Sequence, residues 1–173
     1  ILRETFIRFH HHTWHAGCVP SHHDDEVLAH SRHSPVDKHR LLGTVYHDAL
    51  LDIGQAFEQA QQAFNHWQHT TVSHRAQYLR LMAKELIQHQ AELLYLLTLE
   101  AGKVLEDALA EWREAVDLCF YYADEAEKLQ QAQALNHITG EENTLYLAPR
   151  GVFVCISPWN FPLAIFLGQI AAA

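Results

Sequence analysis

Asn160 is the residue whose type and setting first suggest chemistry. It stands between Pro158 and Pro162 in an uncharged stretch, residues 151–173. An asparagine amide in such a loop can donate a hydrogen bond to an oxygen that gains negative charge during a reaction. Asparagine is also one of the best helix N-caps, and Phe161-Pro162 follow at once. The residues alone therefore leave a catalytic and a capping role open.

A nucleophile is harder to identify. Cys155 lies close to Asn160, but it falls inside an apolar run, and no base or cation is adjacent to generate a thiolate. We therefore do not expect Cys155 to be the nucleophile. The other cysteines are Cys18 and Cys119, and no CxxC pair occurs, which argues against a disulfide framework or a structural zinc site. This usage fits a reducing cytoplasm.

A strand, a turn and a helix are predicted around Asn160. Residues 152–156 form a continuous β-branched and aromatic run, which is typical of a strand buried on both faces of a parallel sheet. Pro158 would end that strand, and Pro162 suits the first turn of a buried helix that continues to residue 173. Open α/β sheets place ligands at the carboxyl ends of such strands. A membrane-spanning helix is the alternative, and the central prolines argue against it.

Before this segment, the sequence predicts short strands around a first helix. A turn at residues 34–37 leads into a strand at residues 41–46, and a helix follows from Asp48. A second turn cluster, residues 139–143, precedes a half-exposed strand at residues 144–147. The first helix, predicted from Asp48, is indicated by an apolar stripe at helical spacing that consists of Ile53, Phe57, Ala60, Phe64 and Trp67.

Two further helical regions complete the predicted layer. Ser73 can cap the second helix, which either continues through residues 93–99 or follows a kink near His89. Gly102 is suited to end this run as a C-terminal cap. The third and longest helix is predicted over about residues 104–129.

Composition and charge narrow the class of partner. Acidic residues outnumber basic ones 21 to 12 without a Lys/Arg-rich run, which argues against nucleic acid as a partner. Residues 1–34 hold eight of the 15 histidines without clear periodicity, so we expect a tail or linker there and no metal site. Residue 1 is not methionine, and the last residues continue a helical pattern without a stop signal, so we expect a fragment.

Several motifs resemble those of a known family. Residues 157–162 (SPWNFP), preceded by GVFVCI, resemble the Pro-Trp-Asn-Phe-Pro motif of the aldehyde dehydrogenase superfamily, and residues 99–103 (LEAGK) look like its Glu-x-Gly-Lys stretch. Over about residues 34–173, the sequence is similar to the glutamate semialdehyde (1-pyrroline-5-carboxylate) dehydrogenase part of the bifunctional proline utilization A enzymes. Ser34 stands where that branch usually has asparagine.

The resemblance implies roles for individual residues. Asn160 corresponds to the oxyanion-binding asparagine, Phe161 to the aromatic residue beside the aldehyde tunnel, and Glu114 to a carboxylate near the ammonium group of the substrate. The loop that lines the nicotinamide-ribose side of NAD corresponds to Ile156, Ser157, Pro158 and Trp159. The nucleophilic cysteine and the general-base glutamate of the family would follow beyond residue 173.

The fold implied is α/β, with an N-terminal helical layer at residues 35–143 and the first β-α unit of a Rossmann-like domain at residues 151–173. Between them, residues 144–150 correspond to a strand of the oligomerisation hairpin, so a homo-oligomer is implied for the full-length enzyme. NAD is the implied cofactor, and FAD would belong only to a proline dehydrogenase domain outside this chain.

Each assignment has a structural alternative. Glu114 could be a solvated helix charge, and Trp159 and Phe161 could belong to the core. Glu100 and Lys103 are better explained as a helix-end charge pair than as catalysts. The competing class of function is a helical interaction module whose apolar C-terminal segment docks on a partner or anchors in a membrane.

Overall fold

The computed structural model of the chain describes residues 2–17, 27–48 and 53–173. The helices in these ranges are α1 (Leu2–Arg8), α2 (Ile53–Trp67), α3 (Val72–Gln88), α4 (Gln90–Leu99), α5 (Leu105–Leu129) and α6 (Ala164–Ala172). The strands are β1 (Trp14–Gly17), β2 (Val27–His33), β3 (Leu41–Asp48), β4 (Gln133–Ala134) and β5 (Thr144–Leu145).

The three N-terminal strands form one sheet with β3 at its centre. β1 runs parallel to β3 and β2 antiparallel to it. This corrects the prediction of a tail or linker over residues 1–34 in the described part of that range. Strand pairing uses backbone groups, so exposed polar side chains such as His30 and His33 are compatible with a strand. Because these side chains are not hydrophobic, the alternation that would predict a strand is absent from the sequence.

An aromatic cluster attaches the N-terminal residues to the helical layer. The rings of Phe9 and Trp14 lie with their centroids 5.8 Å from the ring of Tyr95 on α4. The indole Nε1 of Trp14 donates a hydrogen bond of 2.7 Å to Glu92 Oε1. This bond makes the largest contribution to lowering the pKa of the Glu92 carboxyl, and a hydrogen bond with His89 makes the next largest.

The core of the helical layer lies between α3, α5 and α6. Its buried residues are mostly small, which lets the helix backbones approach closely. Gly168 continues this pattern on α6, because a Cβ there would lie 2.8 Å from Leu118 Cδ1 on α5. The core consists of Ala83, Leu86, Ala115, Val116, Cys119 and Ala164.

The predicted first helix is present as α2, but it does not begin at Asp48, which is the last residue of β3, and none of its residues is buried. Ile53 and Phe57 at its start are exposed by 66% and 47%. Further along the stripe, Phe64 and Trp67 line a groove of about 660 Å³ together with Cys155 and other residues of the C-terminal segment. The predicted apolar stripe is therefore only partly covered in the described part of the chain.

The other helix predictions are largely confirmed, with one cap corrected. α3 is capped by Thr71, whose Oγ1 accepts from the backbone N–H of His74 at 3.4 Å, and not by Ser73. Thr71 occupies the N-cap position because its extended ψ of 146° places it just outside the helix, whereas Ser73 lies within the first turn. The chain kinks at His89, and Gly102 takes a left-handed φ of 68° after α4.

The segment before Asn160 differs from its prediction. Residues 152–156 form no strand, and Phe153 and Val154 are exposed by 59% and 65%. A buried parallel strand needs neighbours on both edges, and the described residues provide none beside this segment. The strand predicted at residues 144–147 is reduced to β5, which pairs with β4.

The C-terminal helix is present as α6, nine residues long. Ala164, Gly168 and Ala171 are buried, but Phe166 and Ile170 are more than 40% exposed, so the prediction of burial on all sides is wrong. Across the described ranges, no helix combines the length and apolar character needed to cross a membrane.

Candidate active site

Asn160 lies in a turn immediately before α6 and is exposed. The N-cap position of α6 is Leu163, three residues later, so the helix-capping alternative for Asn160 is wrong. No hydrogen bond joins the Asn160 amide to any other described residue. The turn therefore leaves a hydrogen-bond donor available at the start of a helix.

The backbone at the start of α6 is capped by a side chain from another helix. Glu111 on α5 is only 2% exposed, and its Oε1 accepts from the N–H of Leu163 at 2.8 Å and from that of Ala164 at 3.2 Å. These N–H groups have no partner within their own helix, and the helix N-terminus favours a negative charge. The Glu111 carboxylate thus fixes the first turn of α6 to α5.

Lys103 completes this arrangement. Its Nζ lies 2.5 Å from Glu111 Oε2 and 4.2 Å from the centroid of the Phe161 ring. The predicted pairing of Lys103 with Glu100 is therefore corrected, because the buried carboxylate of Glu111 needs a counter-charge, whereas Glu100 is exposed to water. One ammonium group contacts both the capping carboxylate and the ring next to Asn160.

Glu111 is the residue that sequence reasoning missed. Its signal was a carboxylate within the apolar stripe of α5, between Ala108 and Ala115, both of which are fully buried. A charge at such a position is almost never buried without a partner. The need for a partner of opposite charge could have directed attention to Lys103, just before the start of α5.

The predicted cofactor-side residues precede Asn160 and are mostly accessible. Ile156 and Trp159 are exposed by 79% and 84%, Pro158 is exposed and Ser157 is half-buried. The carbonyl oxygen of Ile156 accepts a hydrogen bond of 2.9 Å from Gln169 Nε2, which ties this segment to α6. The amide oxygen of the same side chain, Gln169 Oε1, is buried without a hydrogen-bond partner among the described residues.

Trp159 also borders an apolar cavity of about 630 Å³. The opposite wall comes from α4 and from the turn between β2 and β3. The lining residues are Pro35, Leu93, Leu96, Leu97, Glu100, Ala101, Trp159, Pro162 and Leu163. Ser34 supports this wall, because it is buried and its hydroxyl donates to the Leu99 carbonyl oxygen at 2.8 Å.

Glu114 lies one turn after Glu111 on α5, and its side chain is exposed. It borders a depression of about 540 Å³ that none of residues 156–161 lines. The described residues therefore do not bring Glu114 and Asn160 to one cavity. The depression also contains Ala110, Arg113, Asp117, Leu118 and Tyr121.

Neither described cysteine is placed as a nucleophile toward Asn160. Cys119 is fully buried in the helical core, and burial raises the pKa of its thiol. Cys155 is half-buried in the groove beside α2, although not in the buried strand that was predicted. Cys18 lies outside the described residues. Within the described ranges, no group of three or more His, Cys, Asp or Glu side chains could hold a metal ion.

Solved structures share this arrangement of elements. A structure described as 1-pyrroline-5-carboxylate dehydrogenase aligns over 98% of this chain and 34% of its own, with a TM-score of 0.87 and 28% identity. One of the same enzyme from Thermus with bound NAD aligns over the same shares with a TM-score of 0.86. Proline utilization A from Bdellovibrio bacteriovorus aligns over 98% of this chain and 18% of its own, with a TM-score of 0.85 and 26% identity.

Curated relatives agree with the structural neighbours. The chain is 35% identical over 139 residues to 1-pyrroline-5-carboxylate dehydrogenase 2 of Bacillus subtilis, a match over 80% of this chain and 27% of the relative. It is 38% identical over 140 residues to the bifunctional protein PutA of Escherichia coli, over 81% of this chain and 10% of PutA. The chain thus spans about a quarter of the Bacillus subtilis relative.

The sequence profile of the aldehyde dehydrogenase family matches residues 23–173, which is most of the chain. This match includes the two motifs on which the sequence resemblance depends, at residues 99–103 and 157–162. It also includes β2, whose histidines had suggested a linker. The chain belongs to the aldehyde dehydrogenase family.

Proposed function

We infer that the full-length protein containing this chain oxidises L-glutamate γ-semialdehyde, which forms from 1-pyrroline-5-carboxylate, to glutamate with NAD⁺ in proline catabolism. The observation that carries this proposal is the exposed Asn160 amide, which is not hydrogen-bonded to any other described residue. The names of the relatives support the substrate class. Family membership favours the enzyme over the alternative of a helical interaction module.

Asn160 is proposed to donate a hydrogen bond from its side-chain amide to the aldehyde oxygen as that oxygen becomes negative. A thiolate that attacks the carbonyl carbon breaks the C=O π bond and places the electron pair on oxygen. A donor that is already oriented stabilises this charge without reorganising at the moment of reaction. The attacking cysteine would come from beyond residue 173, as the family resemblance implies.

The segment before Asn160 is proposed to form one wall of the NAD site. Ile156 and Trp159 offer exposed apolar surface on which a nicotinamide ribose could rest, with Ser157 and Pro158 between them. The bond from Gln169 to the Ile156 carbonyl oxygen holds this wall against α6. When bound, NAD⁺ supplies the hydride acceptor.

Phe161 and Glu114 are proposed to recognise the substrate. Phe161 is 37% exposed and follows Asn160 directly, so its ring can border the path of the aldehyde. Glu114 has an exposed carboxylate on α5, which suits a charge-assisted hydrogen bond to the ammonium group of glutamate semialdehyde. Because Glu114 borders a depression that none of residues 156–161 lines, this proposal requires the rest of the full-length protein to join Glu114 and Asn160 into one site.

The environment of the full-length protein is also part of the proposal. We expect it to act in the reducing cytoplasm, where a catalytic cysteine stays a thiol. A homo-oligomer is expected, and the exposed Tyr146 and Leu147 after β5 suit the proposed oligomerisation hairpin. The 173-residue chain alone is expected to oxidise no aldehyde, since it lacks the proposed nucleophile and general base.

Steady-state kinetics of the full-length protein test the proposed function. NADH formation is measured with glutamate semialdehyde and with an aldehyde of equal length that lacks the ammonium group. Glu114→Gln is expected to raise KM for the semialdehyde about 10-fold or more, because a hydrogen bond to a charged group is worth about 1.5 to 3 kcal/mol. KM for the aldehyde without the ammonium group should stay constant.

Glu106→Gln is the matched control, because Glu106 is another exposed carboxylate on α5. It is expected to leave both KM values unchanged. Failure of the full-length protein to form NADH from the semialdehyde would refute the proposed function. Turnover by the 173-residue chain alone would contradict the expectation that the chain is incomplete.

A further inference from the structure

The start of α6 is held by charges that come from outside its own segment. Glu111 caps the N–H groups of Leu163 and Ala164, and Lys103 joins Glu111 to the ring of Phe161. Both charged side chains are largely buried, with Glu111 1% and Lys103 13% exposed. Their contacts are made with residues that directly follow Asn160.

This arrangement replaces a simpler one. A helix that begins soon after an asparagine is commonly capped by that asparagine, whose side chain is then engaged with backbone N–H groups. Here the Glu111 carboxylate serves as the cap, and the Asn160 amide stays without a hydrogen bond to the described residues. The buried carboxylate therefore leaves the amide available.

We propose that Glu111 and Lys103 are positioning residues for Asn160: Glu111 takes over the capping of α6, and Lys103 fixes Glu111 and Phe161 together. The inference rests on the proposed function, since Asn160 matters only if its amide meets the aldehyde oxygen. Neither positioning residue touches substrate in this account. Their effect on rate passes through the orientation of the turn at residues 159–163.

The charges explain why both residues are needed. Burying a lone carboxylate costs several kcal/mol, and a paired ammonium offsets part of that cost. The ammonium of Lys103 is also favourable over the face of the Phe161 ring. Loss of Lys103 would therefore release the ring and leave Glu111 unbalanced, and the turn that carries Asn160 would lose two of its contacts.

A double-mutant cycle in the full-length enzyme tests the proposal. Lys103→Met removes the charge and keeps most of the side-chain length. We expect kcat with glutamate semialdehyde to fall about 10- to 100-fold, because a misplacement of about 1 Å can cost about 100-fold. kcat/KM should fall by at least the same factor, since a contact made in the transition state contributes to both quantities.

The second arm combines Lys103→Met with Asn160→Ala. If Lys103 acts through Asn160, the double variant has the same kcat as Asn160→Ala alone. Multiplicative losses would overturn the inference, because they would mean that Lys103 acts independently. Lys103→Arg should recover most of kcat, since it restores the charge and the contact with the ring.

Lys128→Met is the matched control. Lys128 is 2.8 Å from Glu125 on the exposed side of α5, so its loss removes an ion pair without touching the turn at residues 159–163. It is expected to leave kcat unchanged. A fall in kcat as large as that of Lys103→Met would count against a specific role for Lys103.

Hydrogen exchange separates this inference from the proposed function. Peptides that cover residues 159–167 in the full-length protein should exchange faster in Lys103→Met and Glu111→Gln than in the wild type. If Asn160→Ala leaves kcat unchanged, the proposed oxyanion role of Asn160 fails, whereas faster exchange in the other two variants would still support the positioning of the turn. Unchanged exchange in both variants would overturn the inference itself.

Discussion

Replacement of Asn160 by alanine removes one hydrogen-bond donor and disturbs little else. The side chain is exposed, does not cap α6 and makes no hydrogen bond to the described residues. Exposed substitutions of this kind usually change the free energy of unfolding by no more than about 0.5 kcal/mol. The variant therefore separates a catalytic contribution from a structural one.

The expected kinetic loss is much larger than this stability change. Removal of a single oxyanion donor typically lowers kcat about 10²- to 10³-fold, which corresponds to about 2.7 to 4 kcal/mol of transition-state stabilisation. The assay is NADH formation by the full-length Asn160→Ala protein at saturating glutamate semialdehyde. The kcat of Asn160→Asp should fall at least as far, because the negative charge of the aspartate would repel the oxyanion.

Asn143→Ala provides the matched control. Asn143 is also exposed, and its amide donates to Glu141 at 3.2 Å, far from α6 in the chain. We expect wild-type kcat from this variant. The reasoning is refuted if Asn160→Ala keeps wild-type kcat, or if its melting temperature falls enough to show that Asn160 has a structural role.

Two other substitutions test the fold around the site. Thr71→Ala should lower the stability of the segment by about 1 kcal/mol through loss of the α3 cap, while Ser73→Ala should have little effect, as measured by hydrogen exchange in α3. Glu92→Gln should destabilise the contact with Trp14 at neutral pH, because the hydrogen bond from Trp14 lowers the folded-state pKa of Glu92 from its ordinary value and the charged form contributes stability. That difference should disappear as pH falls through the lowered pKa, as followed by exchange of residues 2–17, and a difference that grew with acidification would contradict the assignment.

The segment around Asn160 shows what a single sequence can predict. The two prolines correctly indicated a turn followed by a helix, because each restricts the backbone locally. The helices α3, α4 and α5 could also be predicted, since their apolar spacing and the glycine at position 102 are local signals. Local rules therefore recovered the elements on which the candidate site depends.

What escaped prediction depended on contacts between distant residues. Residues 152–156 have the composition of a buried strand, but pairing requires neighbours that the described chain does not provide. β2 was not predicted, because its histidines interrupt the hydrophobic pattern of the sequence although an exposed strand face tolerates them. The cap from Glu111 to α6 joins residues more than 50 positions apart, and no periodicity reports a bond of that kind.

The most direct test of the account is the position of the Asn160 amide during the reaction. A crystal structure of the full-length enzyme, trapped as the covalent adduct with an aldehyde, would locate the adduct oxygen. The account predicts that Asn160 Nδ2 lies about 2.7 to 3.1 Å from that oxygen, the range for an oxyanion donor. An amide that points away from the adduct, or that is engaged in capping α6, would contradict it.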